Sequence, residues 1–260
     1  MITREISIIN MRTPRLRNSV TWWVSILLTA IISFGYGMVT CRYKVFPYNQ
    51  LKLLTNHHGE SAPNVNHARA IKNSGTNYLD RKSFFEINGI EGDIVMVGDS
   101  ITNEAEWNEL FSNQFIINRA IDGDTTIGVL NRMDSILATK AKKAFIMLGH
   151  NDFSKNENET VENVYHNYEK IVMQLKSNGI IPYIQSTLLS GGQYQALNKK
   201  VKALNVRIEA LCQKEGLTYI DLNTKLAKDG MLNKSYSNDD IHLNGEGYLV
   251  WKNQIKKYLE

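Results

Sequence analysis

The sequence predicts an α/β fold of three layers, in which a five-stranded parallel sheet lies between two layers of helices. Short apolar runs alternate along the chain with segments of helical periodicity, and this alternation is typical of parallel βαβ units. The runs are almost continuously apolar, as expected for strands that are covered on both faces. The five candidate strands are Asp93–Val97, Phe115–Asn118, Ala144–Leu148, Ile180–Gln185 and Thr218–Asp221.

Two helices have the most regular apolar spacing. Apolar residues recur at i, i+3, i+4 and i+7 across Val161–Leu175, and Asn178-Gly179 follows as a helix stop. A second stripe covers Leu197–Leu211 and ends before Gly216. In a parallel sheet of this kind, ligands bind at the carboxyl ends of the strands, so residues that directly follow the strands are the candidates for a functional site.

The charge distribution separates the N-terminus from the rest of the chain. The 260 residues have a net charge of +4. Residues 1–44 contain six Lys or Arg and one acidic residue, a net charge of +5, so residues 45–260 carry −1. The main domain, predicted over residues 89–260, therefore lacks the basic surface that nucleic-acid binding requires, and we expect no nucleic-acid partner.

A transmembrane helix is predicted over residues 20–40, after a basic tail at residues 1–19. The 24 residues from Asn18 to Cys41 carry no charge, and roughly 20 apolar residues in a helix cross a hydrocarbon core of about 30 Å. The excess of arginines before the span favours an N-terminus inside and a main domain outside the cytoplasm. A cleaved signal peptide is the alternative, although no A-x-A-like site is evident, and a lipoprotein signal would use Cys41.

Residues 41–88 are polar and are interpreted as a stalk that leads into the domain. His57, His58 and His67 lie here without acidic or cysteine partners at ligand spacing, so we expect no metal site. The two cysteines, Cys41 and Cys212, form no disulfide framework, and Cys212 lies on the apolar side of a predicted helix, which indicates core packing.

Two motifs follow the first two strands. Gly98-Asp99-Ser100 follows the first, where a serine at a strand-to-helix turn can point its hydroxyl into a cleft and the helix N-terminus leaves N–H groups free. Gly123 follows the second strand and can present an unobstructed N–H in a tight turn. A helix cap and a loop glycine explain the same residues without any function.

Two further motifs come later in the chain. Gly149-His150-Asn151-Asp152 follows the third strand, and Asn151 can donate from its amide there, although an Asx-type turn is the alternative. Asp239 and His242 are three residues apart, so the carboxylate can accept from one ring nitrogen and leave the other free as a base. His150 is the competing base, but no carboxylate partner is evident for it.

The combination of a serine, a glycine, an asparagine and an Asp-x-x-His in this order resembles the SGNH (GDSL-type) hydrolases. VMVGDSIT, EWNELF, NRAIDGDTT, LGHND and DDIHLNGEGY are most similar to the branch that contains the catalytic subunits of platelet-activating-factor acetylhydrolase. The resemblance implies a flavodoxin-like hydrolase fold, a catalytic triad of Ser100, His242 and Asp239, and an oxyanion hole made by Ser100, Gly123 and Asn151. Asp99 and His150 would lie close to the substrate.

Two departures from the family pattern concern the shape of the acyl pocket. His150 stands where the family often has a small residue or Thr, and Ala120 stands where a glycine is common. Thr102 replaces the last glycine of the G-x-S-x-G elbow of α/β-hydrolases, which favours the SGNH type.

The resemblance implies a serine ester hydrolase that needs neither a metal nor an organic cofactor. Its expected partner is a small ester with a short acyl group, such as an acetyl ester of a carbohydrate or lipid. The alternatives are a lysophospholipase- or thioesterase-like lipid hydrolase, an acyltransferase, and a membrane-anchored binding module without activity. The sequence leaves the oligomeric state open.

Overall fold

The computed structural model describes residues 23, 27–30, 75–113 and 115–259. The chain divides into two units, residues 1–63 and 64–260. In the first unit, residues 23 and 27–30 are helical and exposed. No helix within the described residues is both long and apolar enough to cross a membrane. The tail at residues 1–19 and most of the span predicted over residues 20–40 lie outside the described residues, as do His57, His58 and His67.

The second unit is built on a five-stranded parallel sheet with the strand order β2-β1-β3-β4-β5. Ile94 of the central β1 lies opposite Ile116 on one side and Lys143 on the other, which sets the register. The strands are β1 (Ile94–Gly98), β2 (Ile116–Asn118), β3 (Lys143–Met147), β4 (Ile181–Gln185) and β5 (Thr218–Ile220). Every predicted strand boundary agrees with the structure within one residue, so the predicted α/β fold with a parallel sheet is confirmed.

Helices cover both faces of the sheet. The two longest helices span Val161–Ser177 and Asn198–Glu215. They coincide with the two apolar stripes predicted from the sequence, which confirms both helices. The α-helices are α1 (Gly75–Ile87), α2 (Ser100–Asn103), α3 (Trp107–Phe111), α4 (Thr126–Leu130), α5 (Met133–Leu137), α6 (His150–Lys155), α7 (Val161–Ser177), α8 (Asn198–Glu215), α9 (Asn223–Leu226) and α10 (Gly245–Ile255). Short 3₁₀ turns at Gly192–Leu197, Lys234–Tyr236 and Lys256–Tyr258, and a small antiparallel ribbon of β6 (Ala227–Lys228) and β7 (Met231–Leu232), complete the unit.

Alternate residues of the strands supply two separate cores. Val95 and Val97 belong to the core that packs against α4, α5, α7 and α8. Ile94 and Met96 belong to the core that packs against α2, α3 and α10. Because side chains of a strand point alternately to the two faces, an uninterrupted apolar run such as β1 fills both cores at once. Cys212 is buried in the first core, as predicted.

Residues 75–87, at the end of the segment interpreted as a stalk, form helix α1 and pack onto the domain, whereas residues 41–74 lie outside the described residues. Tyr78 and Phe85 are buried, and the Tyr78 hydroxyl donates to the carbonyl of Gly128 at 2.8 Å. The guanidinium of Arg119 lies 4.5 Å from the centre of the Phe85 ring. The sequence analysis missed this helix because its apolar residues lie on two faces. Leu79, Phe84 and Ile87 are exposed, on the side opposite the buried Tyr78 and Phe85.

Candidate active site

Ser100 is the first residue of α2 and stands directly beyond the carboxyl end of β1. Asp99 caps the helix, because its carboxylate accepts from the N–H of Ile101 at 3.1 Å. A side chain at Gly98 would collide with the hydroxyl of Thr102, so the tight turn requires glycine there. The turn presents the Ser100 hydroxyl at the carboxyl edge of the sheet.

The ring of His242 lies between Ser100 and Asp239. Its Nε2 is 2.8 Å from Ser100 Oγ, and its Nδ1 is 2.6 Å from a carboxylate oxygen of Asp239. An ionised carboxylate only accepts hydrogen bonds, so Nδ1 carries the proton and Nε2 accepts from the serine hydroxyl. The structure thus brings together three residues that the sequence separates by as many as 142 positions.

The second oxygen of Asp239 fixes the loop that carries His242. It accepts from the backbone N–H of Ile241 at 3.0 Å and of His242 at 2.8 Å, and from the Ser237 hydroxyl at 3.3 Å. Partial burial would raise the pKa of Asp239, but the hydrogen bonds from the His242 ring and the two N–H groups outweigh it and lower the pKa to about 2. Asp239 therefore stays ionised beside the histidine.

Three hydrogen-bond donors, which follow β1, β2 and β3 along the chain, are left without partners among the described residues. They are the backbone N–H of Ser100, the backbone N–H of Gly123 and the side-chain amide of Asn151. Gly123 has a φ of +69°, a conformation that favours glycine. An unpaired donor costs stability unless it meets water or a ligand, so the three donors are suited to an oxyanion.

Hydrogen bonds between the loops bring these donors to one edge of the sheet. The N–H of Ile121 donates to the carbonyl of Gly98 at 3.2 Å, and the amide of Asn103 donates to Asp122 at 2.8 Å. The C-terminal helix is tied to the same place, since the Tyr248 hydroxyl donates to the carbonyl of Ile101 at 2.8 Å.

His150, the competing base, is buried, and within the described part of the chain it forms no hydrogen bond with a carboxylate. Its Nε2 lies 3.0 Å from the hydroxyl of Ser190. Burial, with a smaller contribution from the nearby His242, lowers the pKa of His150 to about 4, so it is neutral at pH 7. Among the described residues its hydrogen-bond partner is the Ser190 hydroxyl, so it lacks the carboxylate that would orient it as the base for Ser100.

Asp99 is fully buried next to Ser100. One of its carboxylate oxygens accepts from Ile101, and the other has no hydrogen-bond partner among the described residues. Burial raises the pKa of Asp99 to about 7. Its direct role in the structure is to cap α2.

Two residues of the site were missed by the sequence analysis. Glu104 places a carboxylate oxygen 3.8 Å from Nε2 of His242, and Lys155 donates from its ammonium to the carbonyl of Gly123. Glu104 is four residues after Ser100 and Lys155 is four residues after Asn151. This spacing places them on the same helical faces and was the signal that could have found them.

A family model described as GDSL-like Lipase/Acylhydrolase matches residues 96–250, which is more than half of the chain. The chain belongs to this family. The description of the family, lipase and acylhydrolase, indicates an ester hydrolase. Within the described residues, no cluster of His, Cys, Asp or Glu has the arrangement of a metal site.

Individual relatives are distant from the GDSL-like chain. N-acylneuraminate cytidylyltransferase of Streptococcus agalactiae is 21% identical over 191 residues, which cover 74% of this chain and 44% of the relative. The chain thus spans less than half the length of the curated relatives it matches. A Streptococcus pneumonia protein assigned to platelet activating factor has 23% identity and a TM-score of 0.64 over 75% of this chain and 97% of its own. An acetyl xylan esterase has 18% identity and a TM-score of 0.55 over 65% and 100%. At these identities the two structures establish the fold alone.

Proposed function

We propose that this ester hydrolase cleaves short acyl esters, chiefly acetyl esters, of carbohydrates through an acyl-enzyme on Ser100. The observation that carries the proposal is the chain of contacts from Ser100 Oγ to His242 Nε2 at 2.8 Å and from His242 Nδ1 to Asp239 at 2.6 Å. A serine hydroxyl is a weak nucleophile at neutral pH, and an adjacent base oriented by a third group activates it.

In the proposed reaction, Ser100 Oγ attacks the ester carbonyl while His242 Nε2 takes the hydroxyl proton. The carbonyl oxygen becomes an oxyanion that accepts from Ser100 N–H, Gly123 N–H and the Asn151 amide. The C–O bond to the alcohol then breaks, and His242 returns the proton to the leaving oxygen. Water, deprotonated by His242, attacks the acyl-enzyme and releases the acid and the free serine.

Several observations favour a short acyl group on a carbohydrate over a long acyl chain. Two surface cavities, of about 400 and 260 Å³, are lined by no residue of the proposed triad. Buried His150, whose charge interacts with that of His242, forms a polar pair with Ser190 near the proposed base. Among the similar proteins, one is named for an acetylated xylan and another for an acylated neuraminate.

The test is a substrate panel with purified protein: acetylated sugars, p-nitrophenyl acetate and longer p-nitrophenyl esters, and a lysophospholipid. We expect turnover of the acetyl esters, a steep loss of kcat/KM with chain length, and an acetyl adduct of 42 Da on the Ser100 peptide in quenched reactions. Ser100→Ala should lower kcat by about 10⁶-fold, whereas Ser83→Ala, at an exposed serine of α1, should leave it unchanged. Preferred cleavage of the lysophospholipid would refute the substrate class.

The same panel separates the other reaction classes. An acyltransferase would transfer the acetyl group to an added sugar alcohol faster than to water. A folded protein that shows no Ser100-dependent labelling by a fluorophosphonate would be a binding module, and the proposed chemistry would be rejected.

We further propose that residues 20–40 anchor the protein in a membrane, with the N-terminus inside and the hydrolase unit outside the cytoplasm. The support is the stretch of 24 uncharged residues and the arginines before it. The full chain should sediment with membranes after carbonate extraction, and external protease should degrade the hydrolase unit in spheroplasts. Recovery of the full chain in the carbonate supernatant would contradict the anchor.

A further inference from the structure

Lys155 reaches from α6 to the loop that carries Gly123. Its ammonium donates a hydrogen bond of 2.5 Å to the carbonyl of Gly123. A Cβ atom built on Gly123 would lie 2.7 Å from the same nitrogen. The ammonium therefore occupies the space that any side chain at position 123 would need, and it touches the residue on which the proposed oxyanion hole depends.

The surroundings of this ammonium are unusual for a lysine. Three buried carboxylates, those of Asp99, Asp124 and Asp152, interact with its charge. None of them forms an ion pair with Lys155 among the described residues. Asp124 is bound to the guanidinium of Arg132 at 2.7 Å, and Asp152 accepts from the N–H and the hydroxyl of Thr126.

Lys155 thus directs its short hydrogen bond to a neutral peptide carbonyl. Half-burial lowers the pKa of Lys155 and the three carboxylates oppose this. A half-buried cation loses part of its solvation by water. Because a neutral carbonyl, unlike a carboxylate, does not neutralise the charge of Lys155, this charge still acts on neighbouring groups.

We propose that Lys155 is a positioning residue, which holds Gly123 in its left-handed conformation so that the N–H faces the oxyanion. Glycine is the residue with the greatest backbone freedom, and with a φ of +69° it can leave this conformation at little cost unless a contact fixes it. The hydrogen bond from Lys155 to Gly123 also keeps a positive charge beside the oxyanion hole. This inference rests on the proposed function, because it assigns a task to Lys155 within that reaction.

The test compares Lys155→Met, which removes the donor and the charge, with Lys155→Arg, which retains both. The matched control is Lys200→Met. Lys200 also donates to backbone carbonyls, those of Glu157 at 2.6 Å and Glu159 at 2.9 Å, but outside the site. Loss of a whole oxyanion donor costs about 10²- to 10³-fold in kcat, so loss of its positioning should cost about 10- to 100-fold.

We expect Lys155→Met to lower kcat and the rate of fluorophosphonate labelling in parallel, with KM within about twofold of the wild type. Lys155→Arg should recover at least half of the lost activity on a logarithmic scale, and Lys200→Met should leave kcat unchanged. Urea unfolding of each variant shows whether the loss of activity comes from unfolded protein. If Lys155→Met does not fold, Lys155→Gln replaces it and is judged by the same measurements.

An unchanged kcat in the folded variant would overturn the inference, and so would a loss that appears only in KM. A loss of activity equal to the unfolded fraction would assign Lys155 a purely structural role and would overturn it as well. These outcomes differ from failure of the proposed function, which would appear as a folded wild-type protein without Ser100-dependent turnover or labelling.

Discussion

Replacement of Asp239 by Asn tests how much of the activity depends on the orientation and protonation of His242. In the wild type, one carboxylate oxygen accepts from His242 Nδ1 at 2.6 Å, and the other accepts from two backbone N–H groups. Asn can keep the backbone bonds through its carbonyl oxygen. Its NH₂ group then faces Nδ1 and can only donate, so the ring must carry its proton on Nε2 and cannot accept the proton of Ser100.

The expected effect on activity is much larger than the effect on stability. The wrong tautomer lowers kcat by about 10⁴-fold in serine hydrolases with this arrangement. The shift of the Asp239 pKa from 3.8 to about 2 would correspond to roughly 2.5 kcal/mol at full strength. Because half of the Asp239 side chain is exposed, solvent screening reduces this to about 1 kcal/mol or less.

The assay is steady-state hydrolysis of p-nitrophenyl acetate together with urea unfolding. Asp240→Asn is the matched control: the neighbouring residue undergoes the same change of charge, its φ of +72° suits Asn, and its carboxylate faces Gly191 and Gly192 rather than the ring. A kcat for Asp239→Asn within tenfold of that for Asp240→Asn would refute the assignment of Asp239. A loss of several kcal/mol in unfolding free energy would show that the loop, not the tautomer, had failed.

Three other predictions follow from the surroundings of the site. Asn151→Ala should lower kcat by about 10²- to 10³-fold while the unfolding free energy stays within about 0.5 kcal/mol, because its amide has no partner among the described residues; equal kcat would exclude it as a donor. Asp124→Asn should destabilise the fold by about 3–5 kcal/mol in urea titrations, since it leaves the buried guanidinium of Arg132 uncompensated, and a change below about 1 kcal/mol would contradict this. Burial raises the pKa of both Asp99 and Asp152 to about 7, so the folded state binds more protons than the unfolded state between about pH 4 and 7. These two groups should therefore lower the unfolding free energy as the pH rises through that window. Asp152→Asn should flatten the plot of unfolding free energy against pH, and an unaltered slope of this plot would show that Asp152 does not titrate there.

The sequence allowed the sheet to be predicted because its strands are short apolar runs buried on both faces. The five runs leave little choice of boundary, and Ser100 and Asn151 come soon after the ends of β1 and β3. The order of the motifs then predicted that Ser100 approaches His242. The alternatives, that Ser100 only caps a helix and that Asp239 and His242 only form a surface pair, are disfavoured by the 2.8 Å contact between Ser100 and His242 in the structure.

Features that depend on long side chains or on two-faced packing were not predictable in the same way. Helix α1 has apolar residues on opposite sides, so no single stripe marks it. Lys155 and Glu104 act through flexible side chains whose direction is set by the loops they meet. The bond between Asp152 and Thr126 joins two helix N-termini that are 26 residues apart, a pairing that follows from the packing of the sheet.

The position of His242 near the end of the domain has a consequence for when the enzyme becomes active. The proposed nucleophile and the three proposed oxyanion donors are present once the first three strands have formed, but the proposed base is supplied only by the segment just before α10. Ser100 and His242 are 142 positions apart, so bringing them together closes a long loop, which is a late and entropically costly event. Hydrolysis should therefore begin only when the C-terminal helix has docked through Tyr248, which makes turnover a direct report of completed folding and of any later cut that frees the C-terminus.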